Sequence, residues 1–395
     1  MMTDFNDFLR TIASIQDDAT KTDTEKARQA LYEMARFFYF KTADVDDDHI
    51  SAFHAWWDEN AQEIVGATID DDQCRKVADV LERHFSQAQT NANYFAPPSG
   101  VTKQQIANCR FFSAAQDFGG RFRRSPFDLL NDDPDFFSPK KMSDPAQIDA
   151  FLRHIGAEAQ YDKRRDYARN GAKWLIDNFG GEAYNLYEAN DKSVRKLSKA
   201  MNVQNLGMGF SAKKCHMFVR DLFDWDVWEP AEDIHELDVA SDANTMRIAL
   251  RTGILRLKIP TLLPSYMDIY SPQYELMDDM NVAAWRRVWE LWGEIDDNHR
   301  VPAPAFFDFL IYMLGRTTCK KTTPRCLATN NCSKFQREDC PSFGSDICED
   351  GHCPFNKICP AELKVLQPPK SISIYGRTGW EAGSTNEGGG LGITA

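Results

Sequence analysis

Two separated stretches of this 395-residue chain carry residue types that could do chemistry together. The first is Leu206-Gly207-Met208-Gly209-Phe210-Ser211-Ala212-Lys213; the second opens at Ser241-Asp242-Ala243-Asn244 and runs on to Arg251-Thr252-Gly253. Glycines and a serine between two helical patterns make a tight hairpin, because glycine tolerates strained dihedrals and the following helix begins with unpaired N–H donors that can face an anion. Phosphate suits such a turn. A primary amine at Lys213, at the mouth of the second helix, and a carboxylate at Asp242, 29 residues later, supply a nucleophile and an acid-base partner. Alone, each has an ordinary reading: a solvated lysine and a helix N-cap.

The elements that must position these groups are helices. From 4 to 89 the apolar spacing is amphipathic throughout, as in Ala27, Leu31, Met34, Ala35 and Phe38, and it closes on the turn-rich Phe95-Ala96-Pro97-Pro98-Ser99-Gly100. Helical periodicity resumes through Ile148, Phe151, Ile155, Trp174 and Leu186 up to the hairpin. After Asp242 the pattern predicts one helix to Leu257, a proline-rich crossing, and another helix over Trp285 to Trp292. Strand-like alternation is scarce, so the expected class is all-α.

The net charge of −13 argues at first against a nucleic-acid partner. Its distribution reverses that inference. Residues 1–100 carry a net of −10, whereas 191–220 hold seven basic side chains against one acidic, which surrounds the hairpin with positive charge. With no apolar run of about 18 residues and no signal-peptide pattern, the expected setting is intracellular and cytoplasmic, nucleoid-associated in a prokaryote, with no membrane.

The hairpin and aspartate stretches resemble those of the helix-hairpin-helix DNA glycosylases, the superfamily of endonuclease III, adenine DNA glycosylase and 8-oxoguanine glycosylase. The family hairpin reads roughly Leu-Pro-Gly-x-Gly-x-Lys, and Gly209, Ser211 and Lys213 fall on its Gly, Gly and Lys. Asp242, Asn244 and Arg247 keep the spacing of the family's Val-Asp-x-His-x-x-Arg. Ser211 replaces the second hairpin glycine, and the lysine-to-aspartate separation implies an inserted loop within 225–235.

Seven of the ten cysteines lie between 319 and 359. Gly315-Arg316-Thr317-Thr318-Cys319, followed by Pro324-Arg325-Cys326, resembles the iron-sulfur loop of endonuclease III, and Cys353 and Cys359 supply the last pair. The resemblance therefore implies a 4Fe-4S cluster on Cys319, Cys326, Cys353 and Cys359, with Cys332, Cys340 and Cys348 in an insertion. Soft thiolates favour such a cluster; a zinc site is the alternative, and a disulfide framework fits less well because nothing suggests secretion. Cys74, Cys109 and Cys215 read as ordinary buried thiols.

The resemblance implies a two-lobed helix-hairpin-helix core: residues 101–145 and 265–370 form the cluster-bearing lobe and 146–264 the hairpin lobe. An acidic N-terminal helical domain over 1–100, with an unknown protein partner, precedes it, and a disordered tail over 371–395 follows. The expected activity is a DNA glycosylase acting on double-stranded DNA with an extruded base, with AP-lyase activity. Lys213 attacks the anomeric carbon with help from Asp242, while Gly207, Gly209, Ser211, Lys214, Lys320, Lys321 and Arg325 meet the DNA. The alternatives are a monofunctional glycosylase with an Asp242-activated water and a non-catalytic DNA-binding iron-sulfur module.

Overall fold

The computed structural model describes residues 5–22, 25, 26, 29, 30, 33, 66–88, 97–117, 122–157, 159–202, 206–257, 267–269, 273–319, 324, 326, 353–364, 372–374 and 392–393. The longer helices among them are α1 (Phe5–Asp17), α2 (Asp71–Ala88), α3 (Lys103–Ala115), α4 (Pro145–Ile155), α5 (Tyr161–Phe179), α6 (Val194–Met201), α7 (Ala212–Asp224), α8 (Ala243–Thr252), α9 (Gln273–Ile295) and α10 (Ala305–Met313). The described strands are only two or three residues long, so the protein is mostly helical, as its periodicity predicts. No helix among the described residues is long and apolar enough to cross a membrane.

The chain divides into two compact units, and their boundaries differ from those expected. One comprises Met1–Thr90, Ser241–Arg300 and Phe309–Ala395; the other comprises Asn91–Ala240 and Val301–Asp308. Residues 101–145 therefore belong with the hairpin, not with the cysteine segment, and the N-terminal hundred residues are not a domain of their own.

Side-chain burial explains both corrections. In the hairpin unit, α3 starts at a capping box, in which Thr102 accepts from the Gln105 N–H and Gln105 reaches back to the Thr102 N–H. It drives Phe111 and Phe112 into a core shared with Phe137, Phe151 and Phe218, each at most 1% exposed. In the other unit, α2 packs along α9. The apolar stripe of α2, Cys74, Val77, Ala78 and Leu81, and the α9 residues Trp285, Val288 and Trp292 are all buried. Arg287 adds an ion pair to Asp71 at 2.8 Å.

Two local expectations also change. The helix after Asp242 stops at Thr252, because Gly253 takes φ +79° and turns the chain into the strand Leu255–Arg256, which pairs antiparallel with Thr68–Ile69. Within 371–395, expected as a disordered tail, the described residues are two short strands: Ile372–Ile374 runs parallel to Met267–Ile269 and pairs antiparallel with Gly392–Ile393. The alternating Ile372-Ser373-Ile374 is β-favouring within a glycine-rich surround.

Candidate functional site

The hairpin is built on two left-handed glycines. Gly207 has φ +55° and Gly209 φ +78°, conformations that L side chains rarely adopt. Space is also lacking at Gly209, where a Cβ would stand 2.3 Å from the Tyr167 ring. Asn170 on α5 holds the turn by donating to the Gly207 carbonyl at 3.1 Å. The glycine pair of the turn is thus 207 and 209, two residues upstream of the expected match to 209 and 211. Ser211 is exposed and is the N-cap of α7, yet its side chain makes no capping hydrogen bond. The first amides of α7 therefore lack a side-chain cap at the positive end of the helix.

Lys213 is the second residue of α7, half-buried, and has no hydrogen-bond or ion-pair partner among the described residues. Lys214 points inward. Its Nζ donates to the Gly209 carbonyl at 2.8 Å and to the Ala115 carbonyl at the end of α3 at 3.0 Å, with the Tyr167 ring 5.8 Å away. Burial lowers its pKa to about 8, Asp117 opposing and Arg164 and Lys213 adding to the shift. Lys214 was expected at the DNA surface; the geometry makes it a brace that fixes the hairpin against α3.

Asp242 lies in the other unit. Its carboxylate caps α8, Oδ1 accepting from the amides of Asn244 and Thr245, each at 2.8 Å, and Oδ2 from the Asn244 side chain at 2.9 Å. The ordinary N-cap reading is therefore correct as far as it goes. A half-buried carboxylate held on both oxygens is also rigidly aimed.

Helix α8 connects this carboxylate to the cysteine segment. Arg247 donates through Nη1 to the carbonyls of Gly315 at 2.9 Å and Cys319 at 3.4 Å, and Arg251 donates to the Cys319 sulfur at 3.3 Å. The backbone of Leu314–Thr318 forms a π-helical turn there.

All four expected ligands, Cys319, Cys326, Cys353 and Cys359, are half-buried. Cys353 is pushed well above the ordinary thiol range, by burial first and then by the charges of Cys319 and Cys359, with Cys326 adding less. Among the described residues no three of these sulfurs lie within 4.8 Å of one another. One tetrahedral zinc, with Zn–S bonds of about 2.3 Å, needs sulfurs about 3.8 Å apart. Four thiolates are soft donors of the kind that hold either a zinc ion or an iron-sulfur cluster.

Lys320, Lys321 and Arg325 lie outside the described residues, as do Cys332, Cys340 and Cys348. Cys74, Cys109 and Cys215 are buried, as expected. Glu82, Asp296 and His299 bring three ligand-type atoms within 4.8 Å of one another. His299 already pairs with Asp296 at 2.6 Å on the surface, which accounts for their proximity.

No family model matches the chain, and no curated protein matches it. Sequence reasoning missed the bracing role of Lys214, the clamp formed by Arg251 on Cys319, and the close approach of Gly315 to Asn244. Arg251 lies nine residues, about two and a half turns, beyond Asp242, a spacing that places it on the same helix.

Proposed function

We propose that the protein is a DNA N-glycosylase that removes a damaged or modified base, with a 4Fe-4S cluster held by Cys319, Cys326, Cys353 and Cys359. The observation that carries this reading is the tie, within one unit, between the Asp242 carboxylate and the cysteine segment through Asn244, Arg247 and Arg251. Loss of a base leaves positive charge on deoxyribose, and a fixed carboxylate lowers the energy of that transition state. The base must first leave the stack, because its glycosidic bond is inaccessible in an intact duplex. The hairpin in the other unit supports the reading with backbone amides suited to phosphate.

In the bifunctional version the Lys213 amine attacks the anomeric carbon, displaces the base and leaves a Schiff base from which the strand is cut. A second version is favoured by the hairpin geometry. With Gly207 and Gly209 as the two glycines, the position two residues beyond them is Ser211, not Lys213. The reaction is then hydrolytic, with water activated by Asp242 and Lys213 in contact with DNA. A panel of duplex oligonucleotides bearing different altered bases tests the activity, and borohydride trapping separates the versions. A covalent adduct lost in Lys213→Ala supports the lyase; base release without an adduct supports the water route. DNA binding with no base released from any substrate would point to a non-catalytic module. Purified protein should contain iron, and Cys319→Ser should lose it.

A further inference from the structure

The polar groups behind Asp242 form a closed and almost entirely buried network. Ser241, Thr245 and Asn281 are 3%, 0% and 0% exposed. The Asn281 side-chain nitrogen, carried by α9, donates to the Ser241 hydroxyl at 2.8 Å and to the Thr245 hydroxyl at 3.1 Å. Ser241 in turn donates to Asp278. The Thr245 hydroxyl accepts from the Asp242 amide at 2.9 Å and donates to the Asp242 carbonyl at 3.1 Å.

Hydrogen counting fixes the orientation of every member. Asp278 accepts, so Ser241 gives it the hydroxyl proton and must receive from Asn281. Both Asn281 N–H bonds are then used, and the Thr245 hydroxyl is left to hold the backbone of Asp242 from both sides. Among the described residues the buried Asn281 carbonyl oxygen has no hydrogen-bond partner. A buried unpaired acceptor is a cost to folding.

We infer that Asn281 is a positioning residue for the Asp242 carboxylate, acting through Thr245 and Ser241. This inference rests on the glycosylase reading for its chemical meaning. Asn281 touches no atom of the carboxylate itself. It locks the hydroxyl that fixes the Asp242 peptide, from which the carboxylate is aimed.

The experiment compares wild type with Asn281→Leu, and with Thr245→Val as a second route that keeps the side-chain shape. Leucine removes the unpaired oxygen together with the donor, so the urea midpoint should hold or rise. Amide exchange at Asn244 and Thr245, whose N–H groups the carboxylate accepts, should quicken tenfold or more, with the last turn of α8 unchanged. On a duplex carrying a base that wild type releases, kcat should fall between tenfold and a hundredfold with KM unaltered. Unchanged exchange at Asn244 and Thr245 would overturn the inference, as would an activity loss that only tracks a loss of stability. If wild type releases no base at all, the glycosylase reading fails while the exchange measurement still decides whether Asn281 positions Asp242.

Discussion

A Cβ placed on Gly315 would stand 2.5 Å from the carbonyl oxygen of Asn244, so the first turn of α8 and the π-helical turn before Cys319 meet backbone to backbone. Asn244 also holds the Asp242 carboxylate, so one residue sits between the proposed chemistry and the proposed cluster. Gly315→Ala must force that contact apart. Overpacking of this kind costs about 1–3 kcal/mol, and the loss should appear as a lower urea midpoint together with reduced iron content; full retention of both would show that the two turns can part freely.

Asp242→Asn separates the cap from the charge. Asparagine keeps the oxygen that caps the Asn244 and Thr245 amides but loses the one that accepts from the Asn244 side chain, so stability should fall by about 1 kcal/mol. Losing a transition-state electrostatic contact costs on the order of a hundredfold in rate or more. A stable variant with undiminished base release would remove Asp242 from the mechanism.

The pH dependence of folding should carry the signature of Lys214. Its native pKa of about 8 lies below its ordinary 10.5, so between these values the unfolded chain holds a proton that the native state has released. Stability from this group therefore rises with pH across that window and is constant outside it. Wild type and Lys214→Met, unfolded in urea at a series of pH values from about 7.5 to 10.5, should differ in slope there. Parallel curves would mean that the amine titrates normally. Buried thiols such as Cys215, pushed up to about 12, act in the opposite direction in both proteins and cancel in the comparison.

A largely buried ion network in the hairpin unit offers a test of stability alone. Arg220 pairs with Asp221 at 2.7 Å and Asp308 at 3.0 Å, and Asp221 also pairs with Arg110 at 2.6 Å. Asp308→Ala removes one carboxylate and also the acceptor for the Ala240 amide. Breaking one side of such a set costs about 3–5 kcal/mol. A loss below about 1 kcal/mol would indicate that water reaches Arg220.

Periodicity and punctuation in the sequence were enough to identify the helical class, the glycine turn at 207 and 209, and the N-cap at Asp242, because each of these is settled within a few neighbouring residues. Long-range packing was not legible. The amphipathic stripe on α2 announces that something covers it, yet nothing local says that α9 does. The same holds for Arg251 and Cys319, 68 residues apart, whose meeting depends on how α8 docks. Gly253 is readable as a stop, yet the apolar pattern runs on past it to Leu257. Composition does not announce the two short strands described near the chain end, Ile372–Ile374 and Gly392–Ile393.

Neither unit is a continuous piece of chain, and this governs the order in which the molecule can be made. Asp71 waits 216 residues for Arg287. By then the segment Asn91–Ala240, nearly all of the hairpin unit, has already left the ribosome. Helix α2 thus emerges long before α9, the helix it packs along, and its apolar stripe needs shelter until α9 is made. No single cut of the polypeptide could yield both units whole.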